Sequence, residues 1–384
     1  MKVVCFSEIQ WQYVRTRKQQ IIGRFPADWE ILFLSSVVKG KKNNFRPARD
    51  GNVTHVCIPA LKNFPQKLLR ILFSFPPARF LWNIILFLWV HTILSITGFS
   101  GGARVFFVSN IYYAAVLPLF MRSFILYDCN DDPLEFPGSP PWAGKYFRKL
   151  VSISDVLVAV SRGLVERLHS MGVKNVSYIG NGVDYGLFRK AAEQGIPEEM
   201  KKFNRPVLGY SGAIAPWFDM ELLNMVAESF PEASIVLMGP LFEPLRERLE
   251  KLIAEKGNVF YVGSKPYERL GAYINALDIC MIPLQMNELM RMADPNKIYE
   301  YAAVEKPIVT YKFAPEMEEL DGMIYLAESR VEFVEGIRKA LKEGADSAKL
   351  RQFAMACSWQ SRADAMIALI ERRCASGDYG EECR

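Results

Sequence analysis

Cysteine and histidine are scarce in this sequence, and their scarcity removes whole classes of chemistry. The seven cysteines, at positions 5, 57, 129, 280, 357, 374 and 383, are scattered through 384 residues and form no C-x-x-C pair. Such an odd, dispersed set points to reduced thiols in a cytoplasmic setting, most of them packing residues. Only three histidines occur, His55, His91 and His169, and none lies in a segment of catalytic character. No G-x-G-x-x-G fingerprint follows a candidate strand, which argues against a nicotinamide oxidoreductase. Gly138, Gly144 and Lys145 mimic a P-loop at the wrong spacing and without the following Ser or Thr, so a nucleotide triphosphatase is equally disfavoured. The opening MKVVCFSEI starts directly as a strand, and no secretory signal is expected there.

What is present suits a large α/β enzyme. Half of the residues are hydrophobic and 23% are charged, enough to fill two cores at a length that predicts two to three domains. The formal net charge of +5 conceals a division: residues 1–190 carry 24 Lys and Arg against 11 Asp and Glu, and the remainder carries 23 against 31. A basic first half suggests an anionic partner, nucleic acid or a membrane surface, with a solvated lysine face as the plainer alternative.

Apolar runs alternate with helical patterns twice over, as parallel sheets with crossover helices require. VVCFSE, EILFLS, VTHVCIP, ARVFFVSN, SFILYDC, DVLVAVS and VSYIGNG read as strands of a first domain. PVLGYSG, ASIVLMGP, NVFYVG, DICMIPL, PIVTYK and MIYLA read as those of a second. AAEQGIPEEMKKFN, residues 191–204, has the charges and breakers of a linker. The expected organisation is a first domain over 1–190, joined by a crossover helix within 359–384, and a second over 191–358. Each is expected to be doubly wound, with ligand at the carboxyl ends of its strands, facing a cleft.

The stretch DPNKIYEYAAVEKPIVT, from Asp294 to Thr310, reads as a helix built to hold an anion at its start and a diol one turn later. Asp294 can cap and Pro295 suits the first helical position. The free N–H groups of the first turn, the helix dipole and the Lys297 ammonium then form a phosphate site. Glu300, three residues on and on the same face, can accept hydrogen bonds from vicinal hydroxyls such as those of a ribose. An amphipathic helix with a solvated Lys297–Glu300 pair remains the alternative on spacing alone.

This block resembles the donor-binding motif of GT-B glycosyltransferases. The resemblance implies that Asn296, Lys297 and Glu300 hold a UDP- or GDP-linked sugar, with Lys297 on the diphosphate and Glu300 on the ribose. GYSGAIAPWFDMELL, from 209 to 223, is similar to the first strand, glycine turn and helix of the donor domain in that family, which implicates Gly212 and Ala213. FYVGSKPYERLGAYINALDICMIPL resembles the segment whose loop cradles the nucleobase, through the backbone of Gly263, Ser264 and Lys265 and the ring of Tyr267, for which a structural role is the alternative. NGVD at 181–184 resembles the interdomain signature. IQWQYVRTRKQQI and YDCNDDPLEFPG resemble a bacterial subgroup making cell-surface polysaccharides and teichuronic-type polymers. Trp11, Arg15 and Arg17 in that first loop are then candidates for acceptor contact.

Two departures bear on mechanism. Many retaining relatives carry a histidine at the end of the strand occupied here by Tyr127 and Asp128, so a carboxylate becomes the candidate base. Asp131 is preferred, then Asp128, since clustered like charges raise at least one carboxylate pKa. One of the group Asp128, Asp131 and Asp132 is expected to cap or turn the chain instead. The usual second glutamate of the donor block is replaced by Met292, and the usual basic pair is missing from GAIAPWFD, so Arg291 becomes a second candidate at the diphosphate. Inversion without a metal is the expectation.

Residues 80–99, FLWNIILFLWVHTILSITGF, contain no Lys, Arg, Asp or Glu. Strands before and after them belong to one sheet, so a helix in the membrane interface, with Trp82, Phe87 and Trp89 inserted and Lys67, Arg70 and Arg79 near anionic headgroups, is preferred to a span. A buried crossover helix is the alternative. The expected function is sugar transfer to a lipid-linked or polysaccharide-precursor acceptor on the cytoplasmic face of the membrane, with no nucleic-acid partner. A nucleotide-sugar epimerase of the same fold and a noncatalytic nucleotide-sugar binder are the rivals.

Overall fold

A computed structural model of the chain describes residues 1–12, 15–38, 42–59, 73–102, 104–120, 123–136 and 138–376. Lys67 and Arg70 lie outside the described residues. The chain divides into two compact units, one formed by Met1–Gly180 with Arg362–Arg384 and the other by Asn181–Ser361.

Unit 1 is built on β1 (Lys2–Ser7), β2 (Glu30–Ser36), β3 (Ala48–Asp50), β4 (Val53–Ile58), β5 (Arg104–Val108), β6 (Ser123–Cys129), β7 (Val156–Ala159) and β8 (Ser177–Tyr178). Their order across the sheet is β3-β4-β2-β1-β5-β6-β7-β8, parallel throughout except for β3. That short strand turns back onto β4 through Gly51, whose φ of +60° suits glycine. The strands are apolar along their length because both sheet faces are covered: Val3, Val4, Cys5 and Phe6 are all fully buried. The β4–β5 connection carries the Pro76–Ile96 helix, which turns Leu86, Val90, Ile93 and Leu94 inward.

Unit 2 is built on β9 (Val207–Ser211), β10 (Ser234–Met238), β11 (Val259–Tyr261), β12 (Ile279–Ile282), β13 (Ile308–Tyr311) and β14 (Tyr325–Ala327). The order β11-β10-β9-β12-β13-β14 is parallel throughout and reverses direction of winding between β9 and β12. In unit 1 the same reversal falls between β1 and β5. Open α/β sheets bind ligands outside the carboxyl ends of strands at such points.

The thirteen strands expected from sequence are present, and among the described residues β3 is the one strand not expected. The domain boundary differs. Residues 191–204 are not a linker: the Tyr185–Glu193 helix, capped by Asp184 through Leu187 N at 3.1 Å, already belongs to unit 2. It buries Phe188, Ala191 and Ala192, and a Cβ on Gly271 would stand 2.3 Å from Phe188 O, so the Leu270–Asn275 helix lies directly on it. The final helix runs from Trp359 to Ser376, with Arg362 onward assigned to unit 1.

Candidate functional site

In unit 2 the carboxyl ends of three adjacent strands are joined by glycine backbone. Gly212 follows β9 and donates its N–H to Met238 O at 2.8 Å. Gly239, after β10, has φ of +135°, and a Cβ there would stand 2.0 Å from Gly212 O. Its own N–H donates to the carbonyl of Gly263, which follows β11 with φ of +72°. A Cβ on Gly212 would meet Lys297 Cε at 2.3 Å and Tyr210 Oη at 2.6 Å. The ledge is therefore bare because side chains do not fit, and backbone is left facing whatever occupies it.

The Asn296–Ala303 helix stands over this ledge, pinned by Tyr301, whose hydroxyl accepts from Ser211 N at 2.8 Å and lies 3.4 Å from Met281 O. Its cap is not the expected one. Asp294 accepts instead from Asn181 N at 2.5 Å and from Tyr299 Oη at 2.8 Å, fastening the NGVD segment to the helix. Pro295 is the N-cap and no side chain caps the turn, so the first N–H groups stay open at the positive end of the dipole. Asn296 Oδ1 is buried without a hydrogen-bond donor. Neither Lys297 nor Glu300 makes a hydrogen bond or ion pair among the described residues. Burial pushes the half-buried Glu300 carboxyl above its usual range, with the Lys297 charge acting in the opposite direction.

The loop after β11 is anchored rather than free. Lys265 Nζ lies 2.9 Å from Glu199 Oε2 and over the Tyr273 ring, which leaves only its backbone for a ligand, beside that of exposed Ser264. Tyr267 meets Phe188 edge-on at 5.4 Å, so its ring is engaged in packing. Ala213 O accepts from Tyr210 Oη at 3.1 Å. In the Gly212 loop, Asp219 caps the next helix through Glu221 N and Leu222 N and is held by Arg330 at 3.0 Å. Arg291 is exposed, 3.7 Å from Glu288. A cavity of about 380 Å³ walled by Met323, Tyr325, Gly336 and Lys339 opens beside β14 and shares no residue with this site.

In unit 1 two expected site residues neutralise one another. Arg17 Nε and Nη2 donate to both oxygens of Asp128 at 3.0–3.1 Å, and Nη1 donates to Gly180 O at 2.7 Å. With Arg17 4% and Asp128 1% exposed, the guanidinium is committed to the carboxylate rather than to an acceptor, and the carboxylate is buried against the guanidinium. Asp132 takes the turn-forming role, accepting from Leu134 N at 2.8 Å and pairing with Arg167 at 3.1 Å. Asp131 is half-buried beside it, at the carboxyl edge after β6. Trp11 donates to Asp50 at 2.9 Å and packs edge-on against Phe33, while Arg15 is exposed. A second buried pair, Glu8 with Lys18, sits at the β1–β5 reversal within 3.4–3.5 Å of Ser109 and Asn110, and sequence reading missed it. Its only signal was a carboxylate directly after β1.

Of the three aromatic residues expected to face a membrane, Trp89 is exposed. Phe87 instead turns onto Phe120, 5.0 Å away, and the half-buried Trp82 meets Phe73 edge-on at 6.1 Å.

Residues 205–343 match the family model described as Glycosyl transferases group 1. A protein named as a teichuronic acid biosynthesis glycosyltransferase, TuaH of Bacillus subtilis (strain 168), is 23% identical over 201 residues. That match covers 48% of this chain and 49% of TuaH, so the chain spans about half the length of the curated relative it matches. Sucrose-phosphate synthase of Thermosynechococcus elongatus superposes with a TM-score of 0.77 at 13% identity, covering 98% of this chain and 99% of that one. Anabaena HepE, solved in complex with UDP, gives 0.68 at 13% identity over 97% and 100%. The chain therefore has the GT-B fold, and its residues 205–343 match the group 1 glycosyltransferase model.

Proposed function

We propose that this chain transfers a sugar from a UDP- or GDP-linked donor to a hydroxyl of a lipid-linked or polysaccharide-precursor acceptor, from the cytoplasm and peripherally on the inner membrane face. One observation carries the donor half: an ammonium and a carboxylate, Lys297 and Glu300, with no hydrogen bond or ion pair among the described residues, stand one turn apart on an uncapped helix start over a bare glycine ledge. The UDP complex of HepE and the teichuronic acid role in the name of TuaH support the same reading.

In the proposed reaction the acceptor oxygen bonds to the anomeric carbon as the bond from that carbon to the distal phosphate oxygen breaks. The bonding pair leaves with the nucleoside diphosphate, whose charge is met by Lys297 and the first-turn N–H groups. We assign the departing hydroxyl proton to Asp131, a half-buried carboxylate at the carboxyl edge after β6, where ligands of open α/β sheets bind. The scheme is inverting and uses no metal or further cofactor. Unit 2 serves the donor; unit 1, with Arg15 in its first loop, serves the acceptor.

The test measures nucleotide affinity and sugar transfer together. Lys297→Ala weakens UDP or GDP binding about 10- to 100-fold, the size of a lost charge-assisted contact. Asp131→Asn leaves that affinity unchanged and lowers transfer by roughly a hundredfold or more. Unchanged affinity in the first variant removes the donor site, and an unchanged rate in the second removes the base. Donor conversion without any acceptor would favour the epimerase.

A further inference from the structure

The Pro76–Ile96 helix is the one helix among the described residues long and apolar enough to cross a bilayer, with mean hydropathy 1.6, yet only 22% of its apolar window is buried. Its outer face carries Phe80, Leu81, Ile84, Ile85, Leu88 and Trp89, each between 39% and 68% exposed. A second segment completes the surface: exposed Phe45, from the loop before β3, brings its ring within 6.5 Å of Trp89. Single exposed apolar residues need no explanation, but a contiguous face assembled from two segments does.

A span does not fit. The helix buries Leu86, Val90, Ile93 and Leu94 within unit 1 and connects β4 to β5 of one parallel sheet. The charge around it selects the occupant. From Gly51 to Tyr127 the sequence has no Asp or Glu in 77 residues, while six Lys and Arg occur there. Exposed Lys42 and Arg46 flank Phe45. A second copy would bring like charges together across the face, whereas anionic headgroups would match them.

We infer that unit 1 docks on an anionic phospholipid bilayer through the first turns of this helix together with Phe45. The helix lies flat in the interface, and Lys42 and Arg46 meet headgroup phosphates. This rests on the peripheral placement proposed above and specifies its surface.

The test is flotation of the full chain with vesicles of phosphatidylglycerol and phosphatidylcholine, or phosphatidylcholine alone, beside UDP-induced thermal stabilisation. Binding is expected to the anionic vesicles and to weaken with salt. Leu81→Ser with Leu88→Ser lowers it by about 10-fold or more. Lys42→Gln and Arg46→Gln each lower it about fivefold. Leu341→Ser, at an exposed position of unit 2, changes nothing. UDP stabilisation persists in all these variants, so docking and the donor site fail separately. Absent binding, equal binding to uncharged vesicles, or undiminished binding by the double variant overturns the inference. So does a lipid-free dimer that the double variant converts to monomer, which would assign the face to a second copy.

Discussion

The two units treat charge at the carboxyl edges of their sheets in opposite ways. In unit 1 the charged groups are sunk and paired: Arg17 with Asp128, Lys18 with Glu8, and Arg167 with Asp132. In unit 2 the corresponding edge has a glycine ledge, an uncapped helix start, and an ammonium and carboxylate, Lys297 and Glu300, that make no hydrogen bond or ion pair among the described residues. The first arrangement fixes the shape of its own loops. The second pairs Lys265 with Glu199 and Asp219 with Arg330 but withholds Lys297 and Glu300 from such pairs among the described residues, at a cost visible in the raised pKa of Glu300, and leaves those two for a ligand.

The contrast breaks first at Asp128. Asp128→Ala removes the carboxylate against which the Arg17 guanidinium is buried, and is expected to lower unfolding free energy by about 3–5 kcal/mol in urea titrations. Replacing both partners, Arg17→Met with Asp128→Leu, is expected to recover most of that loss, because an apolar pair needs no desolvation compensation. In unit 2, Lys297→Ala removes a charge that favours the Glu300 carboxylate but breaks no hydrogen bond or ion pair among the described residues, and is expected to cost less than about 1 kcal/mol. Equal costs at the two sites would erase the difference between the edges.

The same contrast explains which parts of the molecule were legible in sequence. Lys297 and Glu300 announce themselves because one helical turn brings them together, so spacing alone places them on one face. Arg17 and Asp128 are 111 positions apart, and only the β1–β6 geometry of unit 1 pairs them. Reading Arg17 as an acceptor contact and Asp128 as a base followed from seeing each without the other. The Pro76–Ile96 helix failed differently: being apolar almost all round, it gives no periodic signal of which face is buried. Phe87 and Trp82 were therefore assigned outward, while Phe80, Leu81 and Leu88 carry the exposed surface. The boundary slipped by ten residues because breakers at Gly195 and Pro197 punctuate helices within unit 2 rather than separate two domains.

A subtler difference lies in pH dependence. Glu300 has a folded pKa raised above the usual glutamate value of 4.5, chiefly by burial. Ionisation therefore costs more in the folded state than in the unfolded one. The resulting contribution favours the fold fully below about 4.5 and is lost as pH rises through the folded value. Glu300→Gln should raise the melting temperature at neutral pH, with the gain shrinking as pH falls below the unfolded value. A gain of equal size at both ends of that range would place the cause in packing.

The effect most specific to unit 2 falls on ligand affinity. In Gly212→Ala the new methyl would stand 2.3 Å from Lys297 Cε and 2.6 Å from Tyr210 Oη. Tyr210 is buried and held to Ala213 O, so the flexible lysine yields more cheaply. Its ammonium then leaves the helix start, and UDP affinity should fall about 3- to 10-fold, on the order of 1 kcal/mol. In a Lys297→Ala background the same methyl meets no ammonium to displace and only Tyr210 must still shift, so Gly212→Ala should cost little further UDP affinity. That non-additivity, read by titration calorimetry on the four proteins, is what a ledge kept bare for the lysine requires. Additive losses would mean instead that the methyl blocks the nucleotide directly, and that glycine serves the ligand rather than the lysine.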